Sequence, residues 1–152
     1  MTHYTLGTFD LLEEKAAGAR AHFDEALKIR RELAATSKVN DLLQVALALV
    51  QAQVGQVDAA MTIADRFSAG ASVDPEERLE LARCYAIASR TLPASDAARA
   101  GALQTKAMDA IRAAVRDGYR DRFYLEGEPD LAPLRSREDF KTLVAGIPGG
   151  AR

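Results

Sequence analysis

Leu6, Phe9 and Leu11 or Leu12 fall on one side of a helix drawn over about residues 2–14. Ala19, Phe23, Ala26, Leu27, Ile29 and Leu33 do the same over about 17–35. A third helix, from about Asp41 to Gln53, is apolar nearly all round, which predicts a place in the middle of a stack. Ser37 and Asn40 supply polar caps before it, and Gly55 breaks it. A fourth helix is expected over about Val57–Phe67, followed by a loop at Gly70-Ala71-Ser72.

Asp74-Pro75-Glu76-Glu77 is a strong helix start, with Asp74 as cap, Pro75 in the first turn and Glu77 able to reach back. This fifth helix runs to about Ser89, and Thr91-Leu92-Pro93-Ala94-Ser95 interrupts it. A sixth opens at Ser95 or Asp96 and ends at Asp117, with Gly118 as a left-handed stop. The stretch from Tyr119 to Pro133, with Gly127 and two prolines, should be irregular. A short helix follows from Ser136, spaced with Asp139 as a cap pair, to about Ala145, and 146–152 reads as a flexible tail.

The fold class this pattern predicts is all-α. Ala is the commonest residue, so the helices should pack closely through small side chains. At 152 residues the chain is one domain's worth and long enough to bury a core without staples. Its single Cys84 rules out an internal disulfide framework and suits a reducing compartment. With 20 basic and 22 acidic residues spread along the chain, no basic stripe exists to meet a phosphate backbone, and nucleic acid is not an expected partner. The longest uncharged run, 42–57, contains Gln44, Gln51, Gln53 and Gln56 and is too polar to span a membrane. The N-terminus lacks a secretory pattern, so a cytoplasmic protein, or a cytoplasmic piece of a larger one, is expected.

An internal repeat carries more information. Leu6-Gly7, Ala19, Phe23 and Ala26 set a frame that recurs as Leu47-Ala48, Ala60, Ala64 and Phe67. A third copy reads Leu81-Ala82 and Tyr85, then Ala107, Ile111 and Ala114, with an insertion at 91–95. Leu47 and Leu81 lie 34 residues apart. The spacing resembles that of tetratricopeptide repeats, in which small residues bring two helices of a hairpin together and large ones fill the gap to the next. The resemblance implies three hairpins, at about 2–36, 39–68 and 74–118, and a capping segment at 119–145. Asp10 and Gln51 stand where that family usually has an aromatic residue, and an ordinary Ala-rich bundle would show much the same pattern.

The C-terminal stretch extends the likeness. Cys84-Tyr85-Ala86, Ala107 to Tyr119 and Asp130-Leu131-Ala132-Pro133-Leu134-Arg135 with Asp139-Phe140 resemble the close of the tetratricopeptide tails on large bacterial serine/threonine protein kinases. No Gly-rich phosphate loop, His-Arg-Asp or Asp-Phe-Gly of a kinase accompanies them.

Candidate chemistry is sparse. His3 and His22 have no Cys or His at metal-ligand spacing, and Cys84 sits among Leu81, Tyr85 and Ile87 as a buried thiol would. Glu13-Glu14, Asp24-Glu25 and Glu76-Glu77 are adjacent, so on a helix their side chains diverge. Arg30-Arg31 and Arg135 with Arg137 are small basic clusters suited to salt bridges or an acidic peptide. No catalytic, cofactor or metal site is therefore expected. The resemblance implies a concave groove lined by the first helix of each hairpin: Tyr4, Thr8 and Leu11, then Val45, Leu49 and Ala52, then Leu79, Arg83 and Ala86. A mostly apolar groove must be occupied by a partner's peptide or helix, a second copy of the chain, or its own C-terminal segment. The expected function is a protein-binding scaffold, with homodimerisation as the alternative.

Overall fold

The computed structural model describes residues 3–12, 16–36, 41–69 and 74–148, and these contain helices and turns but no strand. Eight α-helices are α1 (His3–Leu12), α2 (Ala16–Thr36), α3 (Asp41–Gln53), α4 (Val57–Ser68), α5 (Pro75–Thr91), α6 (Ala97–Arg116), α7 (Arg122–Gly127) and α8 (Glu138–Ala145). Two 3-10 segments, Ala94–Asp96 and Pro129–Leu134, complete the described secondary structure.

Local chemistry fixes the ends. The Asp74 carboxylate accepts from the Glu77 N–H at 2.8 Å, and the Glu77 carboxylate accepts from the Asp74 N–H at 3.3 Å, a complete capping box. Gly55 and Gly118 take positive φ, 80° and 114°, and each closes the preceding helix. After Gly118 the Tyr119 N–H reaches the Ala114 carbonyl at 2.9 Å and the Gly118 N–H reaches Val115 at 3.2 Å. Gln56 and Gly55 repeat this arrangement onto Gln51 and Ala52. The polar caps expected at Ser37 and Asn40 and the loop at Gly70-Ala71-Ser72 lie outside the described residues.

Helix α1 packs on α2, α3 on α4 and α5 on α6, while α3 also meets α2 and α5. The junctions use side chains no larger than a methyl: Ala48, Ala52, Ala60, Ala64, Ala82, Ala86, Ala107 and Ala114 are fully buried. Gly7 shows how tight one junction is, since a Cβ there would lie 2.8 Å from the Phe23 ring. Between the helices run large side chains, with Tyr85, Ile87, Met108, Ile111, Leu125, Leu131 and Leu134 among the most deeply buried. Gln51 joins this interior, and its side-chain oxygen has no hydrogen-bond partner among the described residues.

Three expectations need correction. The stretch 119–133 is ordered into α7 and the 3-10 segment; Asp121 caps α7 by accepting from the Tyr124 N–H at 2.9 Å. Helix α8 begins at Glu138 rather than Ser136, because Asp139 is engaged by Arg137 at 2.9 Å and Arg112 at 2.6 Å instead of pairing with a serine cap. The core also extends past Ala145, where Ile147 is buried; residues 149–152 lie outside the described set.

Candidate functional site

The C-terminal 3-10 segment reaches α5 and carries a carboxylate into the interior. Glu128 precedes Pro129 in extended backbone, as a residue before proline prefers, and its carboxylate accepts from the Asp130 N–H at 3.1 Å. Pro129 and Pro133 have no N–H to leave unpaired in so tight a turn. Leu131 and Leu134 point inward with Asp130, which is 0% exposed.

Helices from three parts of the chain meet that carboxylate. Tyr4 of α1 donates its hydroxyl at 2.6 Å, and Gln53, at the end of α3, donates its amide at 3.0 Å. Arg83 of α5 donates through Nε at 3.2 Å and Nη2 at 2.8 Å, a two-pronged grip. Arg90, two turns further along α5, stands 3.6 Å away and also donates to the Gln53 side-chain Oε1 at 2.7 Å. Arg83 is further shared with Glu80 at 2.7 Å and Glu128 at 3.7 Å. A buried carboxylate without such partners would cost several kcal/mol.

The environment shifts the partners accordingly. Burial, with the Asp130 charge beside it, pushes the Tyr4 hydroxyl well above its ordinary range, so it stays a donor. Burial alone would lower the Arg83 guanidinium, but the oxygens of Tyr4, Glu80 and Asp130 outweigh it and raise it. Arg30 lies over the opposite part of this cluster, 5.1 Å from the Tyr4 ring centre, and donates to the Ala46 carbonyl. Burial lowers its ionisation range.

Beside the clamped segment an open cleft of about 420 Å³ remains, lined among others by Tyr4, Thr8, Arg30, Leu49, Glu80 and Arg83. Four of the expected groove residues, Tyr4, Thr8, Leu49 and Arg83, thus line one cavity. Val45 and Leu79 do not reach it; both are buried in the core, as are Ala52 and Ala86, and Leu49 itself is only 4% exposed. Their apolar surface faces neighbouring helices and the C-terminal segment rather than solvent. Leu11 lies in α1, but its side chain falls outside the described residues. Asp130, Gln53, Glu80, Glu128 and Arg30 were not anticipated here. An acid between two prolines in an apolar stretch was the available signal for Asp130.

A second polar cluster ties the outer helices. Asp65 of α4 accepts from the Tyr85 hydroxyl at 2.7 Å and from Lys106 of α6 at 2.8 Å. Burial would raise its carboxyl, but these two hydrogen bonds prevail and hold it below the usual range. Cys84 is fully enclosed, and burial pushes its thiol up to about 12, which leaves little thiolate for chemistry. The basic pairs are spent inside the chain: Arg31 on Gln56 at 2.6 Å, Arg135 on the Glu128 carbonyl at 2.9 Å and Arg137 on Asp139. Among the described residues no three His, Cys, Asp or Glu side chains converge as a metal site, and no helix is long and apolar enough to cross a membrane.

No family model, curated protein or solved structure matches the chain.

Proposed function

We propose that this chain is a non-catalytic interaction scaffold of the tetratricopeptide type, in which helix pairs form a concave face that holds an extended peptide. The observation that carries the reading is the clamp on Asp130. Side chains from α1, α3 and α5 converge on a short proline-flanked segment, the way a repeat scaffold grips a linear ligand. Here the chain's own residues 129–134 occupy that position, and the adjoining cleft between Thr8, Arg30 and Glu80 is where a partner peptide would lie alongside. The enclosed thiol of Cys84 suits a cytoplasmic setting.

A photoreactive residue placed at Thr8 in the full chain tests this. A partner should crosslink from Thr8, fail to do so from Arg116 on the outer face of α6, and be lost with Arg30→Glu. Equal crosslinking from both positions would discard the cleft as the site.

One observation favours homodimerisation as a second reading. Ile29 and Leu33 of α2 are 39% and 45% exposed, one turn apart on the outer side of the first helix pair. Sedimentation of the intact chain against Leu33→Asp decides it: a dimer that the substitution makes monomeric supports self-association, and a monomer in both cases excludes it.

A further inference from the structure

We propose that the cleft beside the clamp takes a neighbouring acidic and basic side chain of the partner peptide, the carboxylate on Arg30 and the cation on Glu80. The proposal rests on the peptide-binding reading above and adds the chemistry that a partner must carry.

The two sides of the cleft are unevenly supplied with charge. On the α5 side Arg83 is shared by Glu80 at 2.7 Å, Glu128 at 3.7 Å and Asp130 at 2.8 Å, and Arg90 reaches Asp130 at 3.6 Å. Three carboxylates there meet two guanidiniums. On the α2 side Arg30 is half-buried against the Tyr4 ring and donates to the Ala46 carbonyl. No carboxylate among the described residues comes within ion-pair distance of it. Glu80 lies near enough for its field to reach Arg30, yet the two form no ion pair. A surplus carboxylate and an unpaired cation thus face one cavity.

A ligand with one kind of charge cannot satisfy both sides. A lone carboxylate on Arg30 would stand opposite Glu80 and Glu128, and a lone cation on Glu80 would stand opposite Arg30 and Arg83. A carboxylate and a cation held side by side complete both through charge-assisted hydrogen bonds, the stronger kind. Glu80 is the acid placed to serve, since its side chain is 29% exposed against 13% for Glu128 and 1% for Asp130. It gives Oε1 to Arg83, and its Oε2 takes no hydrogen bond among the described residues. Between the two sides the Thr8 hydroxyl donates to the Tyr4 carbonyl at 3.1 Å, which leaves its oxygen free to accept from a peptide N–H. The volume of about 420 Å³ lies within the ~300–1,000 Å³ typical of small-ligand sites.

The probes are two end-blocked peptides, acetyl-Gly-Glu-Ala-Lys-Gly-amide and the reverse order acetyl-Gly-Lys-Ala-Glu-Gly-amide. In an extended chain alternate side chains share a face, so both charges can enter the cleft together. Titrated into the nitrogen-15-labelled full chain, at least one order should shift the Arg30 side-chain N–H signals. Replacing the peptide's Glu by Gln, or its Lys by Gln, should in each case weaken binding at least tenfold. Arg30→Gln should abolish the dependence on the peptide's Glu while keeping that on its Lys, and Glu80→Gln should do the converse. The comparison of peptides on the unsubstituted chain gives an answer even if a variant fails to fold. Binding in the cleft that survives the loss of either charge would overturn the proposal and leave the peptide-binding reading intact. No shift of cleft residues with either order would also overturn it, and crosslinking from Thr8 then judges the wider reading on its own.

Discussion

The two ends of this helical stack are finished differently. At the C-terminal end, Leu125, Leu131, Leu134, Phe140, Val144 and Ile147 are all buried against α5 and α6 or each other, and Phe123 alone among the large apolar side chains there is strongly exposed, at 61%. At the N-terminal end α2 leaves Ile29 and Leu33 open, and its buried contacts with α3 amount to a small group of Ala26, Leu27, Leu47 and Val50. Each outer helix pair has an apolar face that it cannot bury by itself and that needs a cover. Only one end has been given a cover within the described residues. The covered end should therefore govern stability, and the open end should be free to serve association.

The largest expected effect follows from removing the cover. Truncation after Gly118 strips six buried apolar side chains from the core, each contributing about 1.5–3 kcal/mol, which together match or exceed the 5–15 kcal/mol that holds a typical domain. The shortened chain should lose its cooperative thermal transition or aggregate. Deleting residues 1–15 instead should leave a cooperative but less stable protein. If calorimetry finds the two deletions equally damaging, the contrast between the ends is wrong.

Next in size is Asp130→Ala. The substitution leaves Arg83, Tyr4 and Gln53 facing a void that once held a charge, and breaking a buried pair from one side costs about 3–5 kcal/mol. Urea unfolding should show that loss. Double substitution with Arg83→Met should recover part of it, since the stranded cation is then gone too. A cost under about 1 kcal/mol would mean the segment is held by Leu131 and Leu134 alone.

Much of this architecture could be read from the sequence, and the failures have physical causes. Helix boundaries were legible where caps are local chemistry: the Asp74–Glu77 box, Gly55 and Gly118 all signal within four residues. The small-residue frame also named the close approaches, since Ala19, Ala60, Ala64, Ala107 and Ala114 are all buried. What could not be read was which face of α3 and α5 the C-terminal segment would cover. Leu49 was expected in an open groove because spacing places it on the first helix of a pair, yet spacing says nothing of what returns to pack there. Asp130 was passed over because its partners lie 126, 77, 47 and 40 residues away, where no local pattern connects them. Helix α7 was missed because glycine and proline dominated a stretch in which Asp121 supplies an ordinary cap.

A smaller effect probes the other end. In Gly7→Ala the new methyl would meet the Phe23 ring at 2.8–2.9 Å, closer than packed carbon atoms settle. Overpacking of this kind costs about 1–3 kcal/mol, and alanine's better helix propensity returns up to about 1. Stability should fall by roughly 1–2 kcal/mol on balance, with the edge-on contact of Phe23 and Tyr4 disturbed. Urea unfolding measures the loss, and the near-ultraviolet signal of Tyr4 reports the ring movement. A neutral result would show that α1 can slide away from α2, and that the N-terminal end is looser than its buried Phe23 implies.

The smallest expected effect is a pH dependence at the covered end. Hydrogen bonds from Arg137 first and Arg112 second hold the Asp139 carboxyl down to about 2, against an ordinary value near 3.8. A carboxylate whose range is lowered by folding contributes stability above its unfolded value and loses it as pH falls through the folded one. Asp139 should therefore help to tie α8 to α6 fully above about pH 4, partly between 4 and 2, and not at all below 2. The side chain is about a third exposed, so solvent screening keeps the contribution within the range of surface pairs, at most about 1 kcal/mol. Comparing the chain with Asp139→Asn across that interval isolates it from the other carboxylates. The difference in melting temperature between the two should shrink steadily from pH 4 to pH 2. A difference that stays constant through the window would show that Asp139 acts by hydrogen bonding alone, in a way asparagine reproduces, and that its charge does not help seal the C-terminal end.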